Sequence, residues 1–219
     1  VETVSIVIAR AIWLINLADL NPKGLRLVPD LSDALTDAYD FDEQPEDAPV
    51  QVGPTAESIL KFKNGQFETE SGLVRVGLDV YDDGLVAETS VSTDVSDQFL
   101  EHVLNWSTSF GLRFDAELIF NKVYVSEVVV RFASPVLKNF AQLNKFSDVL
   151  TENAPGFGPG QTFSPTAITF GASLGTQQFS VERRNNSPAD ANVFYSKSSM
   201  KTAMHLRMLS QFEQLLSVQ

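Results

Sequence analysis

VSIVIARAIWLINLA, residues 4–18, is the most apolar run in the chain, and its reading decides the fold. It is only 15 residues long with Arg10 in its middle. That is short of the ~20 residues a membrane-spanning helix needs, and no basic segment precedes it, so neither a span nor an export signal is expected. Its Val and Ile content and its period of two point instead to a strand. Val7, Ala9, Ala11, Trp13, Ile15 and Leu17 form one apolar face, while Ile6, Ile8, Ile12 and Leu14 share the other with Arg10. Apolar residues on both faces predict a central strand covered on both sides.

Downstream, NPKG at residues 21–24 reads as a turn. A helix then carries Pro29 in its first turn and Leu31, Ala34, Leu35 and Ala38 at i, i+3, i+4 and i+7, with Asp30, Asp33 and Asp37 toward water. Residues 40–53 lose periodicity and gain Pro and acids, the pattern of a solvated acidic loop. Counted from Asp40, the sixth residue is Pro45, where a calcium-binding EF-hand loop requires Gly. Two hairpins follow, with Asn64-Gly65 between residues 59–63 and 66–70, and Asp83-Gly84 between 74–82 and 85–90. Both dipeptides suit the positive φ angles of a type I′ turn. The next helix is expected to start at Thr93 or Asp94 and to turn Val95, Phe99, Val103, Trp106 and Phe110 inward.

The second half reads in the same order. Residues 122–132 form a strand; Ser134-Pro135 opens a helix through Leu150 with Val136, Phe140 and Leu143 on one face. Short strands follow near 166–170, 177–184 and 193–195, and a last helix spans about 200–217. The expected fold is therefore α+β, a mixed but mainly antiparallel sheet of about eight strands with four helices. The chain reads as a single domain over 1–219, and the repeated order suggests two similar subdomains, 1–120 and 121–219.

Composition narrows the chemistry. The 219 residues include no Cys, which excludes disulfides, thiolate metal sites and Cys nucleophiles and suits a reducing compartment, hence a cytoplasmic location. Net charge is −12, and residues 29–57 alone hold nine acids and no Lys or Arg. Such a surface repels phosphate, so nucleic acid is not an expected partner. Residues 183–207 offer the opposite balance, with Arg183, Arg184, Lys197, Lys201 and Arg207 against Asp190.

No catalytic motif stands out. The two histidines, His102 and His205, lie on helices, and neither a nucleophile elbow nor a zinc-binding helix is present. No catalytic residue, metal ligand or cofactor is assigned. Residues 152–165 (ENAPGFGPGQTFSP) are a Gly/Pro-rich loop lacking the strand, helix and Lys of a phosphate-binding loop. Phe157 and Phe163 in that loop are candidates for contacting a partner, as are Arg183 and Arg184 in the basic segment. His205 and Phe212 complete the set, on a stripe with Met208, Leu209, Leu215 and Leu216 that suits either the protein's own sheet or a docking partner.

The segments LADLNPKG and PDL, YDDGLVAETSVSTD, VERRNNSP and HLRMLSQFE give the chain a resemblance to a group of uncharacterised bacterial proteins of about 200 residues. That resemblance implies a bacterial origin and assigns no activity. Together these readings predict a soluble, non-catalytic binding protein, a subunit or adaptor in a bacterial macromolecular complex, whose partner is a protein or a second copy. Two alternatives stay open: a metal-assisted hydrolase using Asp and Glu, motivated by the surplus of acids, and a sensor of a small apolar ligand, motivated by the sixteen Phe.

Overall fold

The computed structural model describes residues 1–24, 28–42, 60–136, 141–153, 162–184, 187–188 and 191–217. Their order is β1 (Glu2–Leu14), α1 (Leu17–Leu20), α2 (Val28–Tyr39), β2 (Leu60–Thr69), β3 (Gly72–Tyr81), β4 (Gly84–Thr89) and α3 (Thr93–Ser107). Then come β5 (Asn121–Arg131), α4 (Ala141–Asn153), β6 (Ala167–Gly171), β7 (Gln178–Arg183), β8 (Val193–Ser198) and α5 (Thr202–Ser217). The strands make one antiparallel sheet in the order β2-β3-β4-β1-β5-β8-β7-β6, so the class is α+β. Strand, helix, three strands, helix occurs twice, leaving aside the one-turn α1.

Two compact units divide the chain. The larger comprises Ile8–Ser126 with Met200–Thr202, and the smaller Val1–Val7, Glu127–Ser199 and Ala203–Gln219. Their boundaries fall inside β1, inside β5, and on either side of Met200–Thr202 at the start of α5. The larger unit's core includes Trp13, Ile15, Phe62, Leu78, Phe99 and Leu100. Among the described residues the smaller unit's core is thinner, made of Val128, Val130, Phe132, Val136, Val181, Phe194 and Leu209.

β1 lies in the middle of the sheet, yet only one of its faces is sealed. Ala9, Ala11, Trp13 and Ile15 are buried, whereas Ile8, Arg10, Ile12 and Leu14 are half-buried and Val7 is exposed. The expected two-sided cover is absent because Arg10 pairs with Glu88 at 2.5 Å on the second face, and that ion pair keeps access to water that a sealed layer would deny it.

The Asn64-Gly65 hairpin does not form. β2 continues through the dipeptide, and the register shifts between Phe62, opposite Leu78, and Gly65, opposite Val76. Asn64 does take the positive φ expected of it, +56°, but spends it on a β-bulge. The Phe41 ring packs where a Cβ at residue 65 would stand, so Gly is required there. The real reversal lies at residues 70–71, with Thr69 opposite Gly72, whose φ is +118°. The other hairpin is real: Tyr81 faces Gly84 across Asp82-Asp83. Neither Asp has positive φ, so its turn is not type I′; the Asp82 and Asp83 carbonyls instead accept the N–H groups of Leu17 and Ile15 at 3.1 and 3.0 Å.

Helix faces also shift. In α2 Tyr39 is buried and Ala38 exposed. α3 starts at Thr93, one of the two expected positions, and is capped by Ser92, whose hydroxyl accepts the Val95 N–H at 3.2 Å. Val136 is buried, but Leu143 on α4 is exposed and Phe140 lies outside the described residues, as does most of the acidic loop. On α5, His205 and Leu209 are buried, Phe212 and Leu216 are half-buried, and Leu215 is 77% exposed, so the stripe is narrower than its apolar content implied.

Candidate functional site

α3 buries Phe99, Leu100, Val103 and Leu104 on one side, which leaves Asp94, Val95, Gln98, Glu101, His102 and Asn105 on the other. The β2–β3 hairpin, extended to residues 70–71 by the bulged strand, runs past that outer face with Phe67, Glu68, Thr69, Glu70, Ser71 and Val74. Between them is an open groove of about 680 Å³. Phe67 and Val74 are half-buried and form its apolar wall, and Val91 and Val95 extend it. No Lys or Arg lines it. Asp94 is paired with Lys201 at 2.8 Å, whereas Glu68, Glu70 and Glu101 form no ion pair among the described residues.

One side of the groove is held by an aromatic cluster. Phe67 packs at 5.3 Å from Phe99 and 5.4 Å from His102, and Tyr39 meets Phe99 edge-on at 5.1 Å. Burial raises the Tyr39 phenol above its ordinary pKa, so it keeps its proton, and its hydroxyl bonds His102 Nδ1 at 2.8 Å. The imidazole is thereby oriented while its edge stays exposed in the groove.

Two other polar clusters look catalytic and are not built for it. Asp97 accepts hydrogen bonds from Trp13 Nε1 at 2.8 Å, Tyr124 hydroxyl at 3.0 Å and Lys201 Nζ at 2.9 Å. Lys122 Nζ sits 3.6 Å over the Trp13 ring. Lys201, bonded to Asp94 and Asp97, is held above the usual lysine range, so it is neither a nucleophile nor a base near neutral pH. The cluster is a clasp between β1, β5 and the start of α5, and beside it the Thr93 and Thr202 backbone N–H groups each donate to the other's hydroxyl, at 3.1 and 2.9 Å.

In the smaller unit, Ser196 Oγ lies 2.9 Å from His205 Nε2, a pair that resembles an activated serine. Both residues are fully buried. Ser196 donates its only hydroxyl proton to the Ser180 carbonyl at 2.5 Å, so the bond to the ring is donated by Nε2–H. The imidazole therefore holds a proton where a general base needs a lone pair. Burial lowers its pKa to about 4, which keeps it neutral at pH 7.

The six partner-contact candidates are not gathered in one place. His205 and Phe212 face the smaller unit's core, with Phe212 at 6.1 Å from Phe132 and His205 at 5.6 Å from Phe179. Arg183 is half-buried at the end of β7 and Arg184 is exposed just beyond it. Phe163 is half-buried, with its N–H bonded to Thr151 Oγ1 at 3.0 Å. Phe157 lies outside the described residues. Among the described residues no group of three His, Asp or Glu is placed to hold a metal, and no helix is long and apolar enough to cross a membrane.

The groove residues escaped the sequence reading for a definite reason. With the turn placed at Asn64-Gly65, Glu68 and Glu70 belong to an ordinary strand; only the bulge carries them to a hairpin tip beside α3. No family model, curated protein or solved structure matches the chain.

Proposed function

We propose that this is a non-catalytic binding protein, a subunit or adaptor of a bacterial cytoplasmic complex, and that the groove of the larger unit receives a basic, amphipathic segment of a partner protein. The observation that carries the reading is the pairing of an apolar wall with Glu68, Glu70 and Glu101, which have no basic partner among the described residues. A partner's Lys or Arg supplies the missing charge while its apolar side chains cover Phe67 and Val74. The same acids disfavour nucleic acid there. The absence of Cys from the sequence supports a reducing compartment.

Fluorescence anisotropy with a labelled peptide alternating Leu and Lys, and with its Leu/Glu counterpart, tests the reading. The cationic peptide is expected to bind and to weaken with added salt. The Glu68→Gln, Glu70→Gln, Glu101→Gln triple variant is expected to lose about tenfold in affinity, the scale of a few rim charges. Equal binding of the two peptides, or an unaffected triple variant, overturns it.

A further inference from the structure

The two edges of the sheet are built differently. β2, at one end, carries Lys61, Lys63 and Glu68 and a bulge at Asn64-Gly65, all devices that discourage another strand from pairing. β6, at the other end, is AITFG: no charge, no Pro, and an unbroken register with β7 from Ala167 opposite Glu182 to Gly171 opposite Gln178. Among the described residues it has one neighbour, β7.

The hydrogen bonds at both ends of β6 show which of its backbone groups are free for pairing. Arg183 N–H donates to the Thr166 carbonyl at 2.7 Å, and Ala172 N–H to the Gln177 carbonyl at 2.9 Å. Antiparallel strands alternate, so even-numbered residues of this segment bond β7, and the N–H and C=O groups of Ala167, Thr169 and Gly171 point outward. Those three positions are symmetric about Thr169. A second β6 laid antiparallel with Thr169 opposite Thr169 matches every outward donor to an acceptor, giving about six main-chain bonds. In that register Ile168 stands opposite Phe170 in the close, non-hydrogen-bonded pairs, an apolar contact on both sides of the axis. Phe170 is 53% exposed, and Ile168 packs against the smaller unit's core, so the apolar face continues across the join.

Charge selects the same meeting point. The smaller unit holds seven Asp and Glu and seven Lys and Arg, so the whole −12 belongs to the larger unit. Two copies that meet through β6 meet across neutral surface, where any contact between larger units opposes like charge. A head-to-tail pairing of β6 with β2 of another copy would give an open chain and meets the bulged, charged edge. We infer that the chain forms a two-fold symmetric dimer by antiparallel pairing of β6 with β6 of a second copy. The acidic groove, built from other elements, plays no part in it.

Sedimentation velocity of the full chain over a concentration series tests the inference. A concentration-dependent doubling of mass is expected, and it is expected to disappear in Thr169→Pro, which removes an outward N–H that β7 does not use. Phe170→Lys, at an exposed position, is expected to give the same loss without touching the ladder to β7. Because the chain has no Cys, Thr169→Cys is expected to cross-link two copies under mild oxidation, whereas Lys61→Cys on β2 is not. A monomer at every concentration, or a dimer that persists in both Thr169→Pro and Phe170→Lys, overturns the inference. The groove's peptide binding is measured separately and is expected to be intact in both edge variants.

Discussion

The β4–α3 corner of the larger unit and the passage from β8 of the smaller unit into α5 have the same plan and different contents. β4 and β8 are each six residues long, with the same alternation of buried and half-buried positions, and each helix begins on a Thr four residues after its strand ends. One turn into the helix, α3 places Ser96, whose hydroxyl donates to the Ala9 carbonyl at 2.7 Å; α5 places His205 against Ser196. Deeper in, Phe99 and Leu100 of α3 meet Trp13, Phe62 and Leu78, while Leu209 of α5 meets the smaller set around Val128 and Phe132. A shared backbone plan thus supports, among the described residues, a larger core in one unit and a smaller one in the other. Among the described residues the larger unit exposes few large apolar side chains, Leu73, Val91 and Phe120, whereas the smaller exposes Phe146, Phe170, Leu174 and Leu215 among others. The difference teaches that burial and charge have been divided among the described residues: the fuller core lies where the −12 sits, and exposed apolar side chains cluster where the net charge is zero.

The strongest way to break that comparison is to cut into both cores. Phe99→Ala is expected to lower unfolding free energy by about 4 kcal/mol in urea melts, and Leu209→Ala by about 3 kcal/mol, from the cost of deleting buried carbon and leaving a cavity. A larger loss for Leu209→Ala would show that the smaller unit governs stability. His205 gives a pH-dependent version of the same test. In the folded protein its ring stays neutral down to about pH 4, against an ordinary value of 6.5 in the unfolded chain. Unfolding therefore takes up a proton between these values, so this stability is complete above pH 6.5 and is lost as pH falls to about 4. The loss is roughly 3 kcal/mol. His205→Gln is expected to flatten this acid limb when melts are run from pH 7 to pH 4; an unchanged slope would mean that carboxylates alone cause it.

A smaller effect sharpens the comparison on the other side. Asp97→Ala removes the acceptor shared by Trp13, Tyr124 and Lys201, and is expected to cost about 2 kcal/mol in thermal melts, the scale of hydrogen bonds to a charged group. Least of all, Leu215→Ser on α5 is expected to change stability by no more than about 0.5 kcal/mol, as for a surface site. A cost of several kcal/mol there would place Leu215 in the apolar stripe after all.

Much of the framework was legible in the sequence. The alternation in residues 4–18 marked a strand, though not that one of its faces stays open, and the helices and strands of both halves appear in the expected order, since each depends on periodicity carried within its own segment. The candidate site was not legible. Asn64-Gly65 has the chemistry of a turn, and it serves a bulge because Phe41 packs on Gly65 and β3 pairs on either side of it. On α5 the sequence marks Leu215 and Leu216 alike as apolar, and only packing separates them. The Ser–His pair was equally invisible, its two members coming from β8 and α5.

The sequence by itself determined the order of most strands and helices, that the chain has no thiol, and that it carries a strong negative charge with acids clustered at residues 29–57. Those properties follow from composition and from spacing within one segment. The tertiary structure alone decided that Glu68, Glu70 and Glu101 share a groove, that His205 holds its proton on Nε2 beside Ser196, that all of the net charge falls in one unit, and that β6 stands at the edge with Thr169 facing outward. Each depends on which strand lies beside which and in what register, and register is set by partners far away in the chain.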